Sequence, residues 1–330
     1  MAETKLGKDA ITLPVGTTAQ RPANPEAGMM RFNTDEGYVE WYDDFGDRWI
    51  ATSSFPGVVA TGGTVTDIEQ DGQLFRLHTF TSDGTFEVAR RGEVEYLVVG
   101  GGGSGGTGGG GGGGGAGGVV IGDNPVGVGV YPVLVGAGGA AATEARQNGN
   151  SGDNSSIFEI VAFGGGFGSG RDTSESGGSG GSGGGGAYQG NVSGGIGTAG
   201  QGNDGGEAST SRSGNTRSGA GGGGASTAGQ SSGSLSDGGD GGVGVDVSGL
   251  FGTSIGINGR LGGGGGGGHD VDNNPGIGVD GGGDGGTETA RGGPLSQSGV
   301  DGTGGGGGGM WSTDLTTGGS GIVIVRYRIG

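Results

Sequence analysis

Gly108-Gly109-Gly110-Gly111-Gly112-Gly113-Gly114-Gly115 is an unbroken run of eight residues without side chains, and two later runs repeat it, Gly262 to Gly268 and Gly304 to Gly309. Such runs cannot build an ordinary hydrophobic core, and glycine loses more backbone freedom on folding than any other residue. Either this part of the chain is a flexible linker, or its backbones pack directly against one another. The flanks favour order. Val94-Glu95-Tyr96-Leu97-Val98-Val99 precedes the first run, and Ile322-Val323-Ile324-Val325-Arg326-Tyr327-Arg328-Ile329 ends the chain. Both are β-branched and aromatic, the composition of strands. A pairing between them would tie the two ends of a glycine-rich domain together, over residues 94–330.

Ordered glycine suits the extended left-handed helix of three residues per turn, which rises about 3.1 Å per residue and has no internal hydrogen bonds. Eight residues then span about 25 Å. The N–H and C=O groups point outward in three directions, and without Cβ atoms neighbouring helices come close enough to bond through them, satisfying the buried backbone. Collagen needs glycine at every third position and abundant proline; here the glycine runs are unbroken and there are eight prolines. The expectation is a parallel bundle within one chain.

Of 330 residues 101 are glycine and 29% are hydrophobic, too few for a conventional core of this length. A net charge of −18 without basic runs argues against a nucleic-acid partner. Cysteine is absent, which excludes disulfides, thiolate metal sites and thiol nucleophiles. The start Met1-Ala2-Glu3-Thr4-Lys5-Leu6 has no apolar signal region, and no stretch has the roughly 18 apolar residues of a membrane span. A soluble product without membrane insertion is expected.

The pattern predicts three regions. Residues 1–55 form an attachment and oligomerisation module. Within it, Met29–Asn33, Tyr38–Tyr42 and Arg48–Thr52 alternate around Thr34-Asp35-Glu36-Gly37 and Asp43–Asp47 as a β-meander. A meander this small cannot bury enough apolar surface alone. Met30, Phe32, Trp41, Trp49 and Ile50 need partners, supplied by self-association as a trimer or by the following domain. Residues 56–93 form a connector, with Leu74–Thr81 and Thr85–Val88 facing each other across a Ser82-Asp83-Gly84 hairpin and joining Tyr96–Val99 and Ile322–Arg328 in one sheet. In residues 94–330, strand islands at Val128–Val135, Ser156–Phe163 and Val243–Ile257 each run on into glycine, with no strict repeat period. The fold class is mainly β: the meander, then a β-sandwich-like scaffold with packed polyglycine helices, and essentially no α-helix.

Tyr96-Leu97-Val98-Val99 running into glycine, Tyr131-Pro132-Val133-Leu134-Val135-Gly136-Ala137-Gly138-Gly139 and Gly319-Ser320-Gly321-Ile322-Val323-Ile324-Val325-Arg326-Tyr327 resemble the glycine-rich domain of bacteriophage tail fibre proteins and adhesins. The segments at 62–66 and 78–86 look like the stretch that precedes that domain, and the meander at 28–51 is similar to short modules near the attachment end of phage fibres. The resemblance implies a virion protein, often trimeric, with loops at the tip of a polyglycine sandwich touching the host. Other virion tail proteins would bind the N-terminal module, and a cell-surface glycan or outer-membrane protein would meet the loops. A glycine-rich domain of an animal receptor packs similarly, so the fold alone does not fix the function. This chain lacks a long fibre shaft, which leaves a fibre, an accessory fibre or a decoration open.

Little in the chain points to chemistry. Gly-x-Gly-x-x-Gly matches arise from composition, without the strand–turn–helix a phosphate site needs. Gly238–Asp246 places Val243 where a calcium nonapeptide needs aspartate, and has no tandem copies. The aspartates read as turn formers and solubilising charge. His269-Asp270-x-Asp272 is a weak metal spacing, better read as a solvated loop, and His78 reads as structural. No serine lies in an elbow motif and no carboxylate pair in a recognisable frame, so neither an enzyme nor a cofactor is expected. The candidate receptor contacts are Tyr188, His269, Asn273, Asn274 and Trp311, since exposed aromatic and polar groups on loops bind sugars and proteins. The alternative for Tyr188 and Trp311 is that they cap the glycine bundle.

Overall fold

The computed structural model describes residues 12–43, 47–51, 58–188, 193–209, 217–232, 237–270, 274–287, 293–311 and 315–329. They form two units, one up to Pro56 and one from Gly57 to Ile329.

The first unit is a four-stranded sheet in the order β1 (Val15–Gly16), β2 (Met30–Asn33), β3 (Tyr38–Asp43), β4 (Arg48–Ala51). Met30, Trp41 and Ile50 sit side by side across the sheet, with Phe32 two residues from Met30 on the same face. This face is only partly covered, and Met30 is 42% exposed. Trp49 departs from that group: its strand position pairs with Tyr42 on the opposite face. There it packs on the Tyr42 ring, with the Arg31 guanidinium over it. The same face buries Glu40 completely, between Arg21 (Nε and Nη2 donating at 3.1 and 2.6 Å), Asn33 (3.2 Å) and Arg31 (3.5 Å). Burial pushes the Glu40 carboxyl up, but the hydrogen bonds from Arg21 and Asn33 outweigh it and hold the group below the usual carboxylate range.

In the second unit, β5 (Val59–Thr61), β6 (Thr64–Gln70), β7 (Gln73–Phe80), β8 (Gly84–Arg90) and β9 (Gly92–Val99) come first. Next are β10 (Val119–Val126), β11 (Gly129–Val133), β12 (Ser155–Ile157), β13 (Ile160–Ala162), β14 (Val245–Asp246), β15 (Arg260–Leu261) and β16 (Ile322–Arg328). Helix is confined, among the described residues, to a 3-10 turn at Thr18–Gln20 and to α1, Ser248–Phe251. A five-stranded sheet, β10-β9-β16-β7-β6, faces a three-stranded one, β11-β8-β5. The terminal strand pairs antiparallel with β9, Ile322 opposite Val99, closing the domain as its composition predicts.

Both faces of the central strands β9 and β16 are buried, which explains their continuous apolar runs. Tyr96, Val98, Val323, Val325 and Tyr327 meet Phe86, Val88 and Val133 of the smaller sheet. Leu97, Val99, Ile322 and Ile324 meet Val247, Phe251 and Leu261 on the other side. Arg326 lies in that second layer, 4% exposed, 4.2 Å over the Phe75 ring and bonded to Glu95 (2.6 Å).

Ser82-Asp83-Gly84 is not a hairpin: β7 and β8 belong to different sheets, and the segment turns a corner between them. The hairpin is one turn earlier, at Asp71 and Gly72 (φ +50° and +72°), joining β6 to β7. A second corner, Gly62-Gly63, carries the chain from β5 to β6; a Cβ on Gly62 would lie 2.0 Å from the Thr85 carbonyl oxygen. The island at 243–257 contributes only a two-residue strand and one turn of helix. Strand β10, hidden in the sequence by Gly122 and Pro125, pairs with β9 along its full length; it is an edge strand, where proline is tolerated.

From the end of this sheet the glycine segments continue as a lattice of three-residue-per-turn rods. The eight-glycine run is not one helix. Gly108 and Gly110 (φ +93° and +81°) form a turn, and residues 111–118 make the central rod. Gly112, Gly115 and Gly118 donate to the carbonyls of Ser169, Gly166 and Phe163 at 2.8–2.9 Å. Gly113 and Ala116 donate to Ala220 and Gly223, and Gly114 and Gly117 to Gly307 and Gly304. Every third N–H thus meets the same neighbour, as the helix requires. The carbonyls of Gly112, Gly115 and Gly118 accept from Gly106, Gly103 and Gly100. Those of Gly113 and Ala116 accept from Gly185 and Ser182, and those of Gly111 and Gly114 from Gly268 and Gly265. The central rod therefore has six hydrogen-bonded neighbours. Five run antiparallel to it and one, 219–225, parallel, so the expected parallel bundle is replaced by a mixed one. Rods joined by a short turn must reverse direction.

Candidate functional site: the far end and flank of the lattice

The packing leaves room on the central rod for one side chain alone, the methyl of Ala116. A Cβ on Gly112, Gly113, Gly114, Gly115 or Gly117 would come within 2.0–2.3 Å of a neighbouring carbonyl oxygen. Chemistry is therefore confined to the rod ends and to the perimeter. At the perimeter, outward N–H groups have no further rod to bond, and side-chain acceptors finish them. Asp240 Oδ1 accepts from Ile277 N–H (2.8 Å), Asp284 from Gly278 (2.8 Å), Asp280 from Gly244 (2.9 Å), Asp204 from Gly197 (2.8 Å) and Asp301 from Ser320 (2.9 Å). Asn154 and Asn148 do the same for Gly164 and Gly170. An ionised carboxylate accepts without donating, which suits an edge made of donors. These aspartates are lattice caps rather than solubilising charge alone.

The far end lies at the Gly108–Gly110 turn, about 25 Å along the rods from the sheet at roughly 3.1 Å per residue. Tyr188 donates its backbone N–H to Gly110 (2.9 Å) and is 7% exposed. Trp311 lies on Gly109: a Cβ there would fall 2.0 Å from its ring. His269 is 1% exposed and its N–H bonds Gly286, so it belongs to the lattice and not to a solvated loop. Asp270, 3% exposed, accepts from Arg217 N–H (2.8 Å), and burial pushes its carboxyl up. No cluster of three or more metal-ligating side chains occurs among the described residues.

A group not anticipated from sequence gathers here. Arg146 and Arg171 approach Asp172 (3.0 and 3.5 Å), Arg217 approaches Asp270 (3.6 Å), and a Cβ on Gly108 would touch both Arg171 and Arg146. Burial, with Arg217 close by, pushes the Arg171 guanidinium below the usual arginine value. Residues 146, 171 and 217 meet only because three separate rods end together, and no local pattern announces that.

Of the five candidate contacts, Trp311 is partly exposed and Asn274 exposed, while Tyr188 and His269 are too buried to touch a large ligand directly. Asn273 lies outside the described residues. Asn274 lines a groove of about 490 Å³ on the lattice flank, with Asp237, Asp240, Ile277, Asp284 and Leu295 among its walls.

A family model for the glycine-rich domain matches residues 80–328. No curated protein matches the chain. The match spans most of the sequence, and the chain belongs to the glycine-rich domain family.

Proposed function

We propose that this protein is a structural protein of a bacteriophage virion, a tail fibre or adhesin that presents loops on a rigid glycine-rich scaffold to recognise the host surface. The observation that supports this reading most is the central rod with six bonded neighbours. It makes a stiff block, anchored in a sheet at one end, with side-chain variety pushed to the far end and the flanks. Such a block holds recognition elements still while their sequence varies. The partly covered row Met30, Phe32, Trp41 and Ile50 suits the first unit to self-association, as a homotrimer, and to attachment to other tail proteins. For the loops of the second unit the partner is a host glycan or an outer-membrane protein. Recognition is by binding, without cofactor or covalent chemistry, and the protein acts outside the cell on the virion tail.

The test is binding of the fluorescent full chain to a panel of bacteria. Saturable binding to a narrow set, competed by phage particles that carry the protein, is expected. Binding to none by a folded protein overturns the adhesin reading and leaves a decoration or fibre spacer without receptor specificity.

A further inference from the structure

In a rod of three residues per turn, positions i and i+3 share a face. On the lattice flank this aligns Asp237 with Asp240, Asn274 with Ile277, and Pro294 with Gln297. The outermost rods lie side by side: Gly238 N–H bonds Asn274 O, Gly285 N–H bonds Gly276 O, and Gln297 N–H bonds Asp284 O, each at 2.8–2.9 Å. Their outward faces enclose the groove of about 490 Å³, the size of a small-ligand site.

Its walls combine three kinds of group. Asp237, Asp240 and Asp284 supply carboxylates, Gln230, Asn274 and Gln297 supply amides, and Ile277 and Leu295, 58% and 59% exposed, supply apolar surface. Among the described residues no lysine or arginine lines it. Each carboxylate has one oxygen already held: Asp237 by Asn274 Nδ2 (2.7 Å), Asp240 by Ile277 N–H (2.8 Å) and Asp284 by Gly278 N–H (2.8 Å). That fixes the carboxylate planes. It leaves lone pairs on each carboxylate to accept from hydroxyls.

We propose that this groove binds a neutral saccharide, its hydroxyls bonded by the carboxylates and amides and its C–H face laid on Ile277 and Leu295. The three carboxylates repel uronic acids, sialic acids and phosphorylated sugars. The proposal rests on the reading of the protein as a surface-recognition module and assigns that module a ligand class.

The experiment is binding of the full chain to immobilised oligosaccharides of neutral hexoses, to oligosaccharides of uronic acids, and to an extended lysine- and arginine-rich peptide. At least one neutral oligosaccharide should bind, with the acidic ones at background. Asn274→Ala and, separately, Leu295→Ala should each weaken binding about tenfold with the unfolding midpoint unchanged. Leu295 makes no side-chain hydrogen bond, so its truncation tests the contact surface independently of the lattice. A preference for acidic sugars, binding of the peptide alone, or equal affinity of both variants and the parent protein overturns the proposal. If labelled protein binds cells but no neutral sugar, the groove assignment fails and the adhesin reading stands. If neutral sugars bind but no cell does, the groove assignment stands and the adhesin reading fails.

Discussion

Gly113→Ala is the smallest change that tests the lattice. Its Cβ would lie 2.1 Å from the Gly265 carbonyl oxygen and 2.6 Å from the Gly265 carbonyl carbon. Reaching 3.0 Å, below which real Cβ contacts essentially do not occur, takes a retreat of 3.0 − 2.1 = 0.9 Å by the rod 262–268. That rod bonds the central one through Gly265 N–H to Gly114 O (2.9 Å) and Gly268 N–H to Gly111 O (2.8 Å). Lengthened by about 0.9 Å, both bonds pass out of hydrogen-bonding range. Two buried pairs left unmade cost about 1–3 kcal/mol each, and the overpacking about 1–3 more. The expected loss is at least about 3 kcal/mol, or roughly 6–12 °C in Tm at about 2–4 °C per kcal/mol for a domain near this size. The control is Gly249→Ala, where a Cβ meets nothing within 4 Å, and there Tm should hold or rise slightly. Gly265→Val, whose Cβ falls 2.2 Å from the Gly307 oxygen, should do more damage than Gly113→Ala. Thermal and urea unfolding of the three variants decides the matter. Equal midpoints for Gly113→Ala and Gly249→Ala would refute the packed rods and return these runs to the status of flexible linker.

Three further outcomes follow from particular contacts. Asp240→Ala removes the acceptor of Ile277 N–H and should cost about 1–2 kcal/mol, while Asp240→Asn, which keeps an oxygen there, should recover most of it by urea titration; equal losses would show the cap to be irrelevant. His78, fully buried between Phe86 and Tyr327 with Nδ1 2.7 Å from Gly62 O, is pushed by burial below the usual histidine pKa of about 6.5. The unfolded chain then takes up the proton first. The contribution is complete above pH of about 6.5 and falls at lower pH, by at most about 1.4 kcal/mol per pH unit; His78→Gln should flatten the slope between pH 7 and 5, and an unchanged slope would acquit His78. Glu40→Ala leaves Arg21 and the buried Arg31 without their carboxylate and should cost the first unit about 3–5 kcal/mol, read as loss of tryptophan near-ultraviolet ellipticity while the second unit melts as before.

How much of this was visible beforehand depends on whether a feature is local. The bracketing strands were legible because β-branched runs such as Ile322–Val325 have few alternatives. Three-residue helical geometry was legible because glycine runs can become ordered only by bonding laterally. The direction of the rods was not, because it depends on where turns fall, and Gly108 and Gly110 look like any other glycine in their run. The hairpin lies one turn before the Ser82-Asp83-Gly84 signal. Asp71-Gly72, flanked by Thr64–Gln70 and Gln73–Phe80, is a standard two-residue turn sequence, whereas Ser82-Asp83-Gly84 lies where the chain must leave one sheet for another. Glu40 and the far-end arginines were missed because each joins residues with no shared pattern. Composition groups Trp49 with Trp41, although its partner across the strand pair, Tyr42, places it on the other face.

One regularity in the sequence carries more than its composition suggests. Asp237-Gly238-Gly239-Asp240-Gly241-Gly242-Val243 is exposed at 237, 240 and 243 and buried at the four glycines between. A Cβ at any of those four would meet a neighbouring backbone oxygen at 1.9–2.4 Å. The period of three that is absent on the scale of whole repeats is present on the scale of single turns, and it measures how many neighbours a rod has. An outer rod has one face in water and admits a side chain at every third position. The central rod has neighbours on all sides, and between Gly111 and Gly118 it admits only Ala116. The register bonds that rod makes with 262–268, Gly268 to Gly111 and Gly265 to Gly114, bring Ala116 level with the start of the neighbouring rod, where Gly262 turns away with φ +74°. Glycine content along such a chain therefore reads as burial, and the non-glycine residues of the outer rods mark its surface. In the groove that surface is Asp237, Asp240, Asn274, Ile277 and Gln297, each three residues from its partner on the same rod or facing it from the next. A lattice that forbids side chains inside must place all its specificity on these outer triplets and on the rod ends, so recognition can change by substitution there without disturbing a single hydrogen bond of the central rod.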